Sequence, residues 1–267
     1  MPKFDANLSM LFGEVDFLDR FEAAAKAGFT GVEYLFPYSY PKEQLVEKLH
    51  KNKLVQVLHN LPAGDWEKGE RGIGCLPDRV NEFQQGVGKA IEYATALGCR
   101  QVNCLMGFAP EGAGPLKLHD TAVANVSFAA SELKKAGIRL LIEPCNTRDI
   151  PRFYLNRTSQ AIEILNAAGS DNAFLQYDVY HAQMTEGRLI NTITTCLPDI
   201  GHIQIADVPG RHQPGTGEIN YPAVLEVLKR LGYSGYVGLE YRPSNDSDSS
   251  LQWLASKERG RNSHEGI

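Results

Sequence analysis

Four polar residues stand where an otherwise apolar run breaks off. Leu140-Leu141-Ile142 runs into Glu143 and Pro144, Phe174-Leu175-Gln176-Tyr177 runs into Asp178, Gln204 lies near the end of His202 to Ala206, and Tyr236-Val237-Gly238-Leu239 runs into Glu240. If the runs are neighbouring strands, about 4.8 Å apart, these groups converge at one end of a sheet. Carboxylates packed that closely repel one another, and a divalent cation relieves the repulsion. An all-oxygen set of Glu143, Asp178, Gln204 and Glu240 suits hard Mg²⁺ or Mn²⁺ better than copper or structural zinc. Any one of the acids could instead cap the helix that follows it, because Asp and Glu are favoured at helix N-termini. Four such polar groups, three acids and an amide, on successive strands favour a shared site. A metal flanked by two glutamates fits proton abstraction beside a carbonyl. Return of the proton to the neighbouring carbon gives 1,2-isomerisation of an α-hydroxy carbonyl compound, and return to the same carbon from the other face gives epimerisation. The residue types leave both open.

Other side chains could bind the reactant. Asp178 begins Asp178-Val179-Tyr180-His181, a D-x-x-H spacing that can bring His181 back over a pocket as a substrate contact. His59, followed by Asn60-Leu61-Pro62, closes the third apolar run and is placed at the same mouth. The basic candidates are Arg71, Arg211 in Val208-Pro209-Gly210-Arg211-His212, and Arg242. Gly215-Thr216-Gly217 could cradle a phosphate, yet Glu218 follows at once and argues against a bound anion there.

Positioning these groups requires a repeated frame. Eight strand-like runs recur, at Phe4–Asn7, Gly31–Leu35, Leu54–Leu58, Gln101–Leu105, Ile138–Ile142, Ala173–Tyr177, His202–Ala206 and Tyr236–Leu239. Amphipathic stretches lie between them, among them 16–24, 122–136 and 221–228, and several end in Ala-Gly or Leu-Gly, at Gly28, Gly98, Gly137 and Gly232. Eight strand–helix units with no linker favour one closed (β/α)8 TIM barrel over 1–258, with a polar C-terminal tail at 259–267. The rival, a doubly wound open sheet, usually shows a glycine fingerprint after its first strand; here that strand is followed by Leu8-Ser9-Met10-Leu11-Phe12-Gly13-Glu14. The glycine-rich segment from Asn60 to Pro77, which contains Trp66, is longer than an ordinary βα loop and belongs over the mouth of the barrel.

The composition narrows the partners. With 27 Lys and Arg against 32 Asp and Glu, the net charge of −5 has the wrong sign for an unaided binder of nucleic acid or of an anionic membrane. A DNA-repair endonuclease on such a barrel would need a histidine-rich multi-zinc site and a basic face, and the chain has seven histidines. The cysteines number five, with no C-x-x-C or other zinc-type spacing, and together with the absence of an apolar leader they point to a reducing cytoplasm. No apolar stretch approaches the roughly 20 residues that span a bilayer. Homo-oligomerisation is compatible with such a barrel.

Several segments resemble the hydroxypyruvate isomerase family: Asn7-Leu8-Ser9-Met10-Leu11-Phe12, Leu58-His59-Asn60-Leu61-Pro62-Ala63-Gly64-Asp65-Trp66, Gly69-Glu70-Arg71-Gly72-Ile73, Ile142-Glu143-Pro144, Pro214-Gly215-Thr216-Gly217-Glu218-Ile219-Asn220-Tyr221 and Gly238-Leu239-Glu240-Tyr241. The resemblance runs from Phe4 to about Trp253. It implies a xylose-isomerase-like TIM barrel, a divalent metal, and interconversion of hydroxypyruvate with 2-hydroxy-3-oxopropanoate (tartronate semialdehyde). Carried over by position, Glu143 and Glu240 match the paired catalytic glutamates and also ligate the metal, while Asp178 and Gln204 complete the ligand set. The related ketose 3-epimerases share the D-x-x-H spacing but have histidine where this chain has Gln204, which counts against epimerisation; the neutral amide oxygen favours Mg²⁺. The sister activity, 2-oxo-tetronate isomerase, acts on a four-carbon 2-oxo acid, and the segments Leu58–Pro62 and Gln204-Ile205-Ala206-Asp207 look more like the hydroxypyruvate enzymes. Either substrate carries a carboxylate that Arg71, Arg211 or His181 could receive. A non-catalytic sugar-acid-binding barrel with a structural cation is the alternative outside enzymology.

Overall fold

The structure is a computed structural model that describes residues 2–255 and Arg259. Eight parallel strands close into a barrel in sequence order: β1 (Lys3–Asn7), β2 (Gly31–Glu33), β3 (Val55–Asn60), β4 (Gln101–Cys104), β5 (Arg139–Ile142), β6 (Ala173–Asp178), β7 (Ile200–Ile205) and β8 (Tyr236–Leu239). β8 pairs with β1, Phe4 opposite Val237, which completes the ring. The closed (β/α)8 barrel read from the sequence is therefore the fold. Where strand ends differ from the sequence reading they shift by one or two residues. β2 stops at Glu33 rather than Leu35 because its register with β3 slips between Val32 and Glu33.

Around the barrel run α1 (Phe17–Lys26), α2 (Lys42–Asn52), α3 (Val80–Leu97), α4 (Pro115–Lys135), α5 (Thr158–Ala168), α6 (Val179–Thr185), α7 (Leu189–Cys196) and α8 (Tyr221–Arg230), with a short α9 (Ser247–Ser250) after β8. α4 begins seven residues before the expected 122, because Pro115 starts it with a preset φ and no amide hydrogen to leave unpaired. The main apolar core lies between sheet and helices, where outward strand residues such as Val32, Val102, Leu140, Leu175, Ile203 and Val237 pack with Phe21, Leu45, Val87, Leu133, Ile164 and Leu228. Alternate residues of the same strands face inward, and these are polar to an unusual degree: Asp5, Asn7, Glu33, Asn103, Glu143, Gln176, Asp178, His202, Gln204 and Glu240 are all buried.

The segment after β3 lies across the mouth, as its length predicted. It is tied to the chain following β4 by Gly74 N–H to Leu105 O (3.3 Å), Cys75 N–H to Met106 O (2.9 Å) and a bridge between Gly72 and Met106. The expected tail at 259–267 lies outside the described residues except for Arg259. That residue is docked, donating to the carbonyls of Ala27, Leu251 and Leu254 at 2.8 Å each. Among the described residues no helix is long and apolar enough to cross a membrane.

Candidate active site

Glu143 directly follows β5, Asp178 ends β6, and Glu240 directly follows β8, so all three stand at the C-terminal rim. Their carboxylate oxygens lie within 4.8 Å of one another. All three are almost fully buried, yet Glu143 and Glu240 also line a cavity of about 860 Å³ that opens at that rim. Two amides hold the glutamates from neighbouring strands. Asn103 Nδ2 donates to Glu143 Oε2 (2.9 Å), and Asn7 Nδ2 donates to Glu240 Oε1 (3.3 Å). Asp178 is a helix cap, its Oδ1 accepting Tyr180 N–H at 2.8 Å at the start of α6, while Oδ2 turns to the cluster.

Arg211 lies among these oxygens. Its Nη2 contacts Glu240 Oε2 and stands 3.3 Å from Asp178 Oδ2, and its Nε is 3.3 Å from the Glu240 carbonyl. Burial works against its charge, but Glu240, Asp178 and Glu143 hold it firmly protonated. One guanidinium does not balance three buried carboxylates. Burial, reinforced by Asp178, pushes the Glu143 carboxyl up to about 8, although Arg211 and Asn103 pull it down. Burial likewise carries Glu240 well above the ordinary range despite its contact with Arg211, with Glu143 and Asp178 adding to the rise. Without a metal, Glu143 and Glu240 are therefore inclined to retain protons near neutral pH. A site of three clustered carboxyl groups, two of them disposed to hold protons, fits a divalent cation, which would displace those protons.

His181 faces the same space. Its Nδ1 accepts the N–H of Asn146 (3.2 Å), so the proton of the neutral ring sits on Nε2, 3.6 Å from Asp178 Oδ2. Burial lowers its pKa to about 4, against the pull of Asp178, and keeps it an uncharged donor. Arg71 lines the cavity from the long loop, its guanidinium 4.1 Å above the Trp66 ring and its Nη1 donating to the carbonyls of Trp66 and Glu70. Arg242 is also on the wall.

Two expectations change. His59 is not on the cavity wall: its ring is wholly buried, packs edge-on against Tyr38 and places Nδ1 3.1 Å from Asn60 O. Strand alternation turns Asn60 inward instead, where it lines the cavity and accepts from Asn103 Nδ2 at 3.1 Å. Gln204 does sit beside Asp178, its register partner on β7, but its Oε1 is engaged by Gln176 Nε2 (2.5 Å) and its Nε2 by Glu33 Oε1 (2.7 Å). Its oxygen would have to exchange Gln176 for a cation. Asn7, Glu33, Asn60 and Asn103 were missed from sequence, although Asn7 ends a strand-like run and Glu33 and Asn103 interrupt one with a polar side chain.

The Gly-Thr-Gly loop does cradle an anion, and that anion is the protein's own. The buried carboxylate of Asp207 accepts four backbone N–H groups, from Val208 (2.9 Å), Gly215 (2.8 Å), Gly217 (3.0 Å) and Ile219 (3.0 Å). This fixes both ends of the turn that presents Arg211.

Comparison with known proteins agrees with the geometry. The family model for the xylose isomerase-like TIM barrel matches residues 21–257. Hydroxypyruvate isomerase of Escherichia coli (strain K12) is 52% identical over 254 residues, covering 95% of this chain and 98% of that protein. The 2-oxo-tetronate isomerase of Cupriavidus necator is 44% identical with the same coverage. A solved structure from Brucella melitensis, described as an AP endonuclease of family 2, superposes with a TM-score of 0.93 at 42% identity, covering 95% of this chain and 98% of that one. These relationships set aside the non-catalytic binding barrel. The chain belongs to the xylose isomerase-like TIM barrel family, among the hydroxypyruvate and 2-oxo-tetronate isomerases, and it is an isomerase.

Proposed function

We propose that the protein interconverts hydroxypyruvate and 2-hydroxy-3-oxopropanoate in the cytoplasm, with a divalent cation, Mg²⁺ or secondarily Mn²⁺, held by Glu143, Asp178, Gln204 and Glu240. The observation that carries the reading is the trio of buried carboxyl groups with oxygens within 4.8 Å of one another, two of them on the wall of the cavity. The cation, when bound, supplies polarisation of the carbonyl and hydroxyl oxygens of the substrate. One glutamate of the Glu143–Glu240 pair removes a proton from the hydroxymethyl carbon, C3. An enediolate forms across C2 and C3, and the other glutamate delivers a proton to C2. The C3 hydroxyl proton passes to the C2 oxygen, so the ketone becomes an alcohol and the alcohol an aldehyde with no net loss of atoms. His181, neutral and bearing its proton on Nε2, donates to a substrate oxygen. Arg71 and Arg211 receive the carboxylate. The unpaired cysteines accord with a reducing compartment; Cys145, on the cavity wall, is kept a neutral thiol by burial and the neighbouring Glu143.

The three-carbon substrate is favoured by the higher identity to the hydroxypyruvate enzyme, 52% against 44%. Endonuclease chemistry is disfavoured by the net charge of −5 and by a cluster of carboxylates without histidine excess. Hydroxypyruvate, 2-oxo-tetronates and ketoses are to be compared in D₂O, with and without EDTA. The expected result is a cation-dependent aldehyde product from hydroxypyruvate carrying deuterium at C2. A higher kcat/KM for a four-carbon acid would reassign the substrate, and activity undiminished by EDTA would remove the cation.

A further inference from the structure

Beneath the carboxylate cluster lies a second polar layer that proton transfer does not use. Glu33, 1% exposed on β2, is its centre. Its Oε1 lies 2.8 Å from Asn7 Nδ2 and 2.7 Å from Gln204 Nε2, and its Oε2 lies 2.8 Å from His202 Nε2. The orientation of the Asn7 amide is set independently, because its Oδ1 accepts Ser9 N–H at 3.0 Å. Asn7 therefore presents its NH₂ to Glu33, the Glu33 oxygen is an acceptor, and Gln204 must offer the same oxygen its own NH₂. The Gln204 carbonyl is thereby turned the other way. Space for the carboxylate comes from Gly238, where a Cβ would fall 2.6 Å from Glu33 Oε1.

We propose that Glu33 is a positioning residue for metal binding: by holding Gln204 Nε2 it fixes which end of that amide, the oxygen, is available to the cation. The proposal rests on the reading of Gln204 as a ligand. During loading the amide exchanges Gln176 for the metal and keeps Glu33 as its pivot. The same oxygen of Glu33 steadies Asn7 against Glu240, so one carboxylate orients a neutral ligand and a charged one. Partners of this kind set ligand orientation, and their removal commonly costs about 10- to 100-fold in metal affinity.

The test is titration of the EDTA-stripped full-length protein with Mn²⁺, followed by electron paramagnetic resonance, with near-ultraviolet circular dichroism to confirm folding. Glu33→Ala is expected to weaken Mn²⁺ binding by about 10- to 100-fold. Glu33→Gln keeps one oxygen for the two amides and is expected to stay close to wild type, whereas Glu33→Leu, of similar volume with no acceptor, is expected to weaken binding as Glu33→Ala does, which mere loss of packing does not predict. Should Glu33→Ala fail to fold, Glu33→Asp, which withdraws the oxygens by one methylene, is expected to weaken binding in the same direction. If Glu33 acts through Gln204, Glu33→Ala adds little to Gln204→Ala in the double variant. Unchanged Mn²⁺ affinity in folded Glu33→Ala or Glu33→Asp, or fully additive losses in the double variant, overturns the positioning role and leaves Gln204 a ligand. Unchanged affinity in Gln204→Ala overturns the ligand reading itself, and the proposal with it.

Discussion

Replacing Glu143 by glutamine should make the metal-free protein more stable at alkaline pH while abolishing turnover. The carboxyl of Glu143 is pushed from the ordinary 4.5 to about 8, first by burial and then by Asp178. The folded state thus holds a proton that the unfolded chain releases near pH 4.5. Its contribution is full below that pH and is lost as pH rises through about 8. At about 1.4 kcal/mol per pH unit, the interval sets a ceiling of about 5 kcal/mol, and movement of Arg211 toward the new charge reduces what is realised to on the order of 2–3 kcal/mol. Glutamine keeps an oxygen for Asn103 Nδ2 and cannot ionise. Urea unfolding in EDTA at intervals from pH 5 to pH 9, followed by circular dichroism, should therefore show wild type losing stability steeply between about pH 5 and 8 and Glu143→Gln losing much less. Saturating Mg²⁺ should flatten the wild-type curve, because the cation takes the place of the proton. Parallel pH curves for the two metal-free proteins would refute the claim that this carboxyl is forced to hold its proton.

Three further outcomes follow from single contacts. Glu240→Gln should fold normally yet lower kcat by about 10²- to 10⁴-fold and stop deuterium uptake from D₂O. Arg71→Ala should raise KM for hydroxypyruvate with kcat little changed, because the residue lines the cavity and touches none of the three carboxylates; an unchanged KM would exclude it from binding the substrate. Asp207→Ala strands four backbone N–H groups and should cost on the order of 3 kcal/mol in urea unfolding, with kcat falling because Arg211 loses its rigid turn. Stability within about 0.5 kcal/mol of wild type would show that water replaces the carboxylate there.

Most of the barrel is legible in the sequence because its strands are short apolar runs, several of them set off from the preceding helix by glycine, and the acids that end those runs mark the C-terminal rim. Parity along a strand is harder to read. His59 and Asn60 both end β3, and chemical prejudice favours the histidine, yet the asparagine opposite Asn103 faces inward while His59 packs against Tyr38. The polar layer below the rim escaped for a related reason. Glu33 and Asn7 lie in segments that look like ordinary strand, and their purpose emerges only when strands 26 residues apart in sequence place Asn7 Nδ2 against Glu33 Oε1. Arg71 was identified correctly as a mouth residue, but its stacking on Trp66 depends on a loop path that no periodicity encodes.

The turn that carries Arg211 has a consequence for substrate selectivity. In many barrels the segments after strands seven and eight grip the phosphoryl group of a sugar phosphate through free amide hydrogens. Here four amide hydrogens of that turn, from Val208, Gly215, Gly217 and Ile219, are already taken by the buried Asp207 carboxylate and are not free to receive a phosphoryl group. Preference for small unphosphorylated acids is therefore the expected outcome, and it would be a property of the backbone, made before any substrate reaches the mouth.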